Sequence, residues 1–86
     1  MPFICDARVN GNGVNFRSGA ALNSTSLGLM YSGEQLTTYD EQVYNPADGY
    51  TWEHVLRHQT NQFGWVAVQF VTKVSCRRVP DIPSLG

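Results

Sequence analysis

Short stretches of alternating apolar and polar residues, separated by turn residues, recur along the whole chain. Residues 14–17 (Val-Asn-Phe-Arg) alternate with a period of two, which places Val and Phe toward a core and Asn15 and Arg17 toward the outside. No stretch has the 3.6-residue periodicity of an amphipathic helix. The pattern therefore predicts an all-β domain.

Clusters of glycine, asparagine, proline and serine mark the ends of five to seven short, mostly antiparallel strands. The doubled Asn-Gly at 10–13 tolerates the positive φ angles of tight turns, and 45–49 (Asn-Pro-Ala-Asp-Gly) ends the longest strand. The candidate strands are residues 3–9, 14–17, 27–30, 35–44, 50–58, 63–68 and 70–76, with 27–30 expected to re-enter the core. Closure into a small barrel would hide the sheet edges.

The two tryptophans are expected to differ in environment. Strict alternation puts Trp52 and Val55 on opposite faces of one strand, so with Val55 in the core Trp52 is expected outside unless a bulge intervenes. Trp65 follows a glycine and precedes alternating valines, which favours packing at a seam of the barrel.

Composition limits the classes of function. The 86 residues suffice for one small domain, and 15% charged with 42% hydrophobic residues is typical of a chain that folds in water. The longest apolar run, 65–68, is far too short for a membrane span. A net charge of −1 gives no general electrostatic reason to bind nucleic acid. The proline-containing end, 77–86, is predicted to be an extended or disordered tail or linker, leaving 1–76 as the domain.

The only two cysteines, Cys5 and Cys76, lie near the two ends of the predicted domain. If the terminal strands are neighbours, a disulfide would close a long loop, strengthen a thin core and indicate an oxidising compartment. The alternative is two buried free thiols that pack as small hydrophobic residues.

Candidate chemistry is sparse. Neither cysteine has the glycine-rich or helix-start context that activates a nucleophile. His54 and His58 lie four residues apart in a predicted strand, roughly 13 Å, which is too far for one zinc ion. No glycine-rich phosphate loop precedes a helix. The sequence therefore predicts no enzyme, no cofactor and no metal site.

Four blocks, taken in order, are more specific than any of them alone. They are Gly-Val-Asn-Phe-Arg-Ser-Gly at 13–19, Leu-Gly-Leu-Met at 27–30 with Ser-Gly-Glu-Gln-Leu-Thr at 32–37, Tyr-Thr-Trp-Glu-His-Val at 50–55, and Phe-Gly-Trp-Val-Ala at 63–67. Their order and spacing, over about 9–72, resemble the bacterial SH3 domain. The resemblance implies a small SH3-like barrel and a non-catalytic module of exported cell-wall hydrolases, phage endolysins and other envelope proteins.

Such modules anchor a partner domain to peptidoglycan, often through its peptide stems or cross-bridges. The resemblance therefore implies an extracellular or cell-wall location, peptidoglycan or its peptides as partner, and a possible catalytic domain on a parent chain. An alternative is an assembly module that docks a partner domain or a phage structural component.

Clustered aromatic and polar residues are the candidate ligand contacts, because half-exposed rings and hydrogen-bonding groups together hold short peptides. The expected groove lies between residues 10–26 on one side and 39–52 on the other. The candidates are Asn15, Arg17, Tyr31, Tyr39, Glu41, Tyr50 and Trp52.

Overall fold

Seven antiparallel strands and one short 3₁₀ helix form the part of the chain described by the computed structural model, residues 3–78. The strands are β1 (Phe3–Val9), β2 (Val14–Arg17), β3 (Ser26–Met30), β4 (Gln35–Asn45), β5 (Tyr50–Arg57), β6 (Gln62–Ala67) and β7 (Val71–Arg78), and the 3₁₀ helix is Val68–Phe70. They pair in the order β3-β2-β6-β5-β4-β1-β7. The predictions of an all-β class and a small SH3-like fold are confirmed.

The observed strand ends lie within two residues of the predicted ones. The main difference is the interruption between β6 and β7, where residues 68–70 form the 3₁₀ helix and do not continue a strand. The predicted tail, 77–86, begins two residues too early, because β7 includes Arg77 and Arg78. The remainder of that tail, residues 79–86, lies outside the described residues.

The core is built by alternation, as the pattern of β2 predicts. Val14 and Phe16 are buried, while Asn15 and Arg17 are half-buried on the other face. The core cluster consists of Ala7, Val9, Val14, Phe16, Met30, Leu36, Val55 and Val66. Burial of these apolar side chains is the main favourable term for a domain of this size.

The expectation that residues 27–30 re-enter the core is wrong for most of that segment. Only Met30 is buried, and both Leu27 and Leu29 are exposed. β3 is an edge strand that pairs only with β2 among the described strands. The intervening Gly28 faces the side chain of Arg57, since a Cβ there would lie 3.3 Å from Nη1. The Arg57 guanidinium therefore occupies the space that an apolar side chain at position 28 would need.

The expectation of an exposed Trp52 is also wrong, because only 2% of this residue is accessible. Alternation along β5 holds, with Trp52 on the face opposite Val55, and the bulge lies in β4 between Thr38 and Gln42. Trp52 is buried because its outer face is covered, with the Tyr50 ring at 5.8 Å. Alternation thus gives the correct side of the strand, while the covering residues determine exposure.

A buried arginine of β5 connects both β3 and the β3–β4 turn, which contains Glu34, to the rest of the sheet. The Arg57 side chain, on β5, donates to both carboxylate oxygens of Glu34, Nε to Oε1 at 2.9 Å and Nη2 to Oε2 at 3.2 Å. It also donates to the Leu29 carbonyl of β3 at 2.9 Å. The hairpin otherwise has one registered pair with β6, between Arg17 and Trp65. The hydrogen bonds of Arg57 thus supplement the short ladder between β2 and β6.

A glycine permits the close approach of β2 and β6. A Cβ at Gly64 would lie 2.6 Å from Cζ of Phe16 and 2.8 Å from the carbonyl oxygen of Arg17. Both neighbours are constrained, since Phe16 is fully buried in the core and the carbonyl belongs to a strand. Only glycine fits here without displacing one of them.

Gly64→Ala is expected to lower the free energy of unfolding by about 1–3 kcal/mol, because the added methyl group overpacks the core. Urea unfolding followed by tryptophan fluorescence measures the change. Gly19→Ala is the control, since its Cβ would meet Ser24 at an ordinary 3.4 Å. Equal stability of the two variants would contradict the packing argument.

The two cysteines are joined across the β1–β7 ladder. Cys5 and Cys76 are register partners with Cα atoms 4.0 Å apart and form a disulfide between positions 71 residues apart. The disulfide between the two cysteines is therefore confirmed, and the alternative of two free thiols is wrong. It connects an edge strand to the strand inside it.

Reduction is expected to lower the free energy of unfolding by about 4 kcal/mol, on the loop-entropy model for a loop of this length. Urea unfolding with and without dithiothreitol measures the difference. A Cys5→Ser/Cys76→Ser variant is the control, because its unfolding should not respond to the reductant. Identical midpoints for oxidised and reduced wild type would contradict a stabilising disulfide.

Candidate functional site

A groove of about 220 Å³ opens between the β1–β2 loop, β2, the start of β5 and the 3₁₀ helix. Its lining residues are apolar, aromatic, amide or cationic. They are Gly11, Asn12, Gly13, Val14, Asn15, Arg17, Leu22, Tyr50, Trp52, Ala67 and Phe70. We call this depression the groove.

One wall of the groove is fixed by Asn10. Its side-chain amide donates to the Gln69 carbonyl at 3.1 Å and to Oγ1 of Thr72 at 3.0 Å, and its backbone N–H donates to the Phe70 carbonyl at 3.1 Å. The loop then turns at Gly13, whose φ of 75° suits glycine. The β1–β2 loop and the 3₁₀ helix are thereby held together beside the groove.

The opposite wall is organised by Asp48. One carboxylate oxygen accepts the backbone N–H of Tyr50 at 2.9 Å, and the other accepts that of Leu22 at 3.0 Å. Desolvation raises the pKa of this carboxyl group, but the N–H groups of Tyr50 and Leu22 and the nearby Trp52 indole together bring the pKa below its ordinary value of 3.8. An ionised Asp48 therefore connects the β2–β3 loop to the start of β5.

The floor contains an unsatisfied hydrogen-bond donor. Nε1 of Trp52 is buried, and no acceptor within residues 3–78 meets hydrogen-bonding geometry with it. The Asp48 carboxylate is close enough for the indole to lower its pKa without completing that bond. Buried donors without a complete hydrogen bond are rare in folded proteins, and this one belongs to a residue that lines the groove.

Two polar side chains of β2 are positioned along the groove. Oδ1 of Asn15 accepts from the Ser26 hydroxyl at 2.9 Å, which orients the amide nitrogen. Nη1 of Arg17 donates to the Ser24 carbonyl at 2.9 Å, which fixes the guanidinium. Their remaining N–H groups supply directed donors for carbonyl or carboxylate oxygens.

The structure brings together four of the seven candidate contacts. Asn15, Arg17, Tyr50 and Trp52 line the groove. The other three lie elsewhere: Tyr31 is exposed just after β3, and Tyr39 and Glu41 lie at the β4 bulge.

Two groove residues, Ala67 and Phe70, lie outside the expected ranges 10–26 and 39–52, and three more side chains lie inside them but were not candidate contacts: Asn12, Val14 and Leu22. Phe70 gave no local signal, because Val-Gln-Phe at 68–70 alternates as a strand would, while in the structure the 3₁₀ helix places this ring beside the β1–β2 loop. Its Cδ1 would lie 3.5 Å from a Cβ at Gly11. Leu22 lies in a polar loop and gave no pattern.

A second group of rings lies on the face of β5 that carries Trp52, next to the groove but with no lining residue in common with it. The rings form contacts in the order Tyr39, Phe63, His54, Trp65, with centroid distances of 5.7, 5.6 and 4.8 Å. Nδ1 of His54 lies 3.2 Å from Oε1 of Glu41. We call these four rings the outer aromatic row. Trp65 thus lies at the β2–β6 junction, as expected of a seam residue, with its ring stacked on His54.

Within residues 3–78, no group of three or more His, Cys, Asp and Glu side chains is placed to hold a metal ion. No helix in this part of the chain is long and apolar enough to cross a membrane.

Comparison with known proteins gives one match. The family model of the bacterial SH3 domain matches residues 12–72, which include β2 to β6, most of the groove and the outer aromatic row. No curated protein and no solved structure matches the chain. The match covers well over half of the 86 residues, and the chain belongs to the bacterial SH3 domain family.

Proposed function

We propose that this domain is a non-catalytic module that anchors a larger envelope protein, such as a cell-wall hydrolase, to bacterial peptidoglycan. Bacterial SH3 domains are binding modules, and they often occur in extracellular or cell-wall proteins. The proposed ligand is a wall peptide, either a stem or a cross-bridge, and the proposed location is the cell wall. The proposed binding site is the groove.

The observation that carries this proposal is the buried Trp52 indole N–H without an acceptor. An unsatisfied buried donor costs about 1–3 kcal/mol, so a ligand carbonyl that accepts this bond would recover part of that cost. Peptides present a carbonyl at every residue. The exposed Phe70 ring and the half-buried Tyr50 ring supply apolar contact on either side of the donor.

The polar residues of the groove also suit a wall peptide. Arg17 offers guanidinium donors, and Asn15 offers an amide, at positions that hydrogen bonds to the β2–β3 loop already fix. A carboxylate of the peptide would pair with Arg17, while Asn15 would bind a backbone carbonyl. We propose Asn15, Arg17, Tyr50, Trp52 and Phe70 as the ligand contacts.

A second candidate function is docking of a partner domain or a phage structural component. The outer aromatic row favours it, because Phe63 is 57% exposed and its neighbours Tyr39 and Trp65 are only half-buried. Exposed aromatic groups of this kind are common at protein interfaces. This surface does not overlap the groove, so the two functions are separable by mutation.

Co-sedimentation with intact sacculi from several bacterial species tests wall binding. Wild type is expected in the pellet, Phe70→Ala is expected to lose at least tenfold in affinity, and Trp52→Phe is expected to weaken binding while keeping the fold. Phe63→Ala is the matched control, because it removes an exposed phenylalanine outside the groove and should pellet like wild type.

Absence of folded wild type from the pellet with every wall would overturn the proposal and leave partner docking. Equal retention of the Phe70 and Phe63 variants would place wall binding outside the groove. Trp52→Ala is unsuitable, because truncating a fully buried tryptophan costs about 3–5 kcal/mol.

Acidification is expected to release the groove wall that Asp48 holds. A carboxylate whose folded pKa is depressed stabilises the fold above its unfolded pKa, and this contribution is lost as the pH falls through the folded pKa, below 3.8. The Leu22 amide resonance should therefore titrate in that window. An Asp48→Asn variant should remove the titration, and its persistence there would contradict the assignment.

A further inference from the structure

Strand β7 has one edge that pairs with no other strand among residues 3–78. It is the last strand in the sheet order, and β1 is the only strand within residues 3–78 that pairs with it. All of its residues after Val71 are exposed. An edge strand of this length presents a row of backbone donors and acceptors to which another extended chain can add.

The register identifies which backbone groups point away from β1. In an antiparallel ladder, pairs that exchange hydrogen bonds have Cα atoms about 5.5 Å apart, and pairs that do not are about 4.5 Å apart. The Cα atoms of Cys5 and Cys76 are 4.0 Å apart, which assigns this pair to the non-bonded type. Phe3 and Arg78, two residues along, are therefore also of that type. The N–H and C=O groups of Cys76 and Arg78 thus face the open edge.

Charge along this edge selects the partner. The chain has a net charge of −1, yet four of its six Lys and Arg residues are on β1 and β7: Arg8, Lys73, Arg77 and Arg78. Lys73 is engaged with buried Glu53, Nζ to Oε2 at 3.2 Å. Arg77 and Arg78 make no ion pair within residues 3–78 and, being adjacent in a strand, extend to opposite faces of the sheet.

A second copy of the chain fits this edge poorly. Pairing of β7 with another β7 would leave Arg77 and Arg78 of both copies without a carboxylate partner on the added strand, because β7 contains no acidic residue. An extended segment with carboxylates on both of its faces would instead meet Arg77 on one face and Arg78 on the other. Its backbone would bond to Cys76 and Arg78.

We propose that β7 is a second binding site, independent of the groove, that takes an extended acidic peptide by strand addition. Backbone hydrogen bonds to Cys76 and Arg78 supply the ladder, and the two arginines supply selectivity for acidic side chains. The site lies in the ladder that the Cys5–Cys76 disulfide holds, so it requires the oxidised domain.

The probe is a blocked eight-residue peptide, Glu-Glu-Val-Val repeated twice, which carries glutamate on both faces of a strand and matches the length of β7. Titration into ¹⁵N-labelled protein is expected to shift the amide resonances of Cys76 and Arg78 most strongly and to slow their hydrogen exchange. The same peptide with lysine for glutamate should bind at least tenfold more weakly, and added salt should weaken binding of the acidic peptide.

Two variants separate backbone from side-chain contributions. Arg78→Ala and Arg78→Pro both remove the guanidinium, but only proline also removes the N–H that faces the edge, a position where an edge strand tolerates proline. Affinity for the acidic peptide should therefore fall further in Arg78→Pro than in Arg78→Ala. Arg8→Glu, on the inner strand β1, should reduce affinity less than Arg77→Glu.

Three results would overturn the proposal. They are the largest amide shifts at groove residues, equal affinity for the glutamate and lysine peptides, and equal affinity of the Arg78→Ala and Arg78→Pro variants. Concentration-dependent dimers with β7 amides protected would assign the edge to self-pairing and would also overturn it. None of these results bears on wall binding by the groove.

Discussion

The groove depends on the contacts of buried Arg57, which bonds the Leu29 carbonyl of β3 and the Glu34 carboxylate of the β3–β4 turn. The groove takes one wall from β2, and β2 belongs to a hairpin with a single registered pair to β6. The Arg57 guanidinium supplements that short ladder by bonding Glu34 and the Leu29 carbonyl at once. Removing one member of a fully buried ion pair costs about 3–5 kcal/mol, and the partial exposure of Glu34 makes the cost smaller here.

Other parts of the domain show why a charged contact fills this role. A domain of this size has too little apolar core to fix every strand by packing alone, and the described core cluster consists of eight side chains. Beneath the hairpin, Gly28 leaves the space that the Arg57 side chain occupies, and the Phe16 ring centroid lies 5.9 Å from its guanidinium carbon. At the opposite end of the sheet, the disulfide fixes β7 to β1. Each edge strand is thus held by a specific contact in addition to its ladder.

Sequence patterns predicted the strands well, because alternation and turn residues are local properties. The burial of Val14 and Phe16 and the outward direction of Asn15 and Arg17 follow from period two alone. The exposure of Trp52 was predicted wrongly, because the exposure of a side chain depends on residues outside the local sequence pattern. Trp52 lies on the predicted side of β5 but is covered by Tyr50, and nothing in the pattern of β5 contains that information.

The candidate site was predictable only in part, for the same reason. The candidate contacts on β2 and β5 were predictable because alternation and turn residues predict those two strands. Phe70 depends on a 3₁₀ helix that interrupts an apparently continuous pair of strands, and Leu22 depends on a hydrogen bond from its N–H to Asp48, 26 residues away. The partner of Arg57 is likewise 23 residues distant in the chain and could not be chosen from spacing.

Native-state hydrogen exchange of wild type and Arg57→Met tests most directly whether this arginine holds the groove wall. Methionine has an unbranched apolar side chain that fills much of the same space, but it cannot donate a hydrogen bond to Glu34 or to the Leu29 carbonyl. If the ion pair secures the hairpin, amides of β2 and β3 should lose more than tenfold in protection while the β1–β4 ladder keeps its own. Uniform loss across all strands, or unchanged protection of the hairpin, would contradict that role.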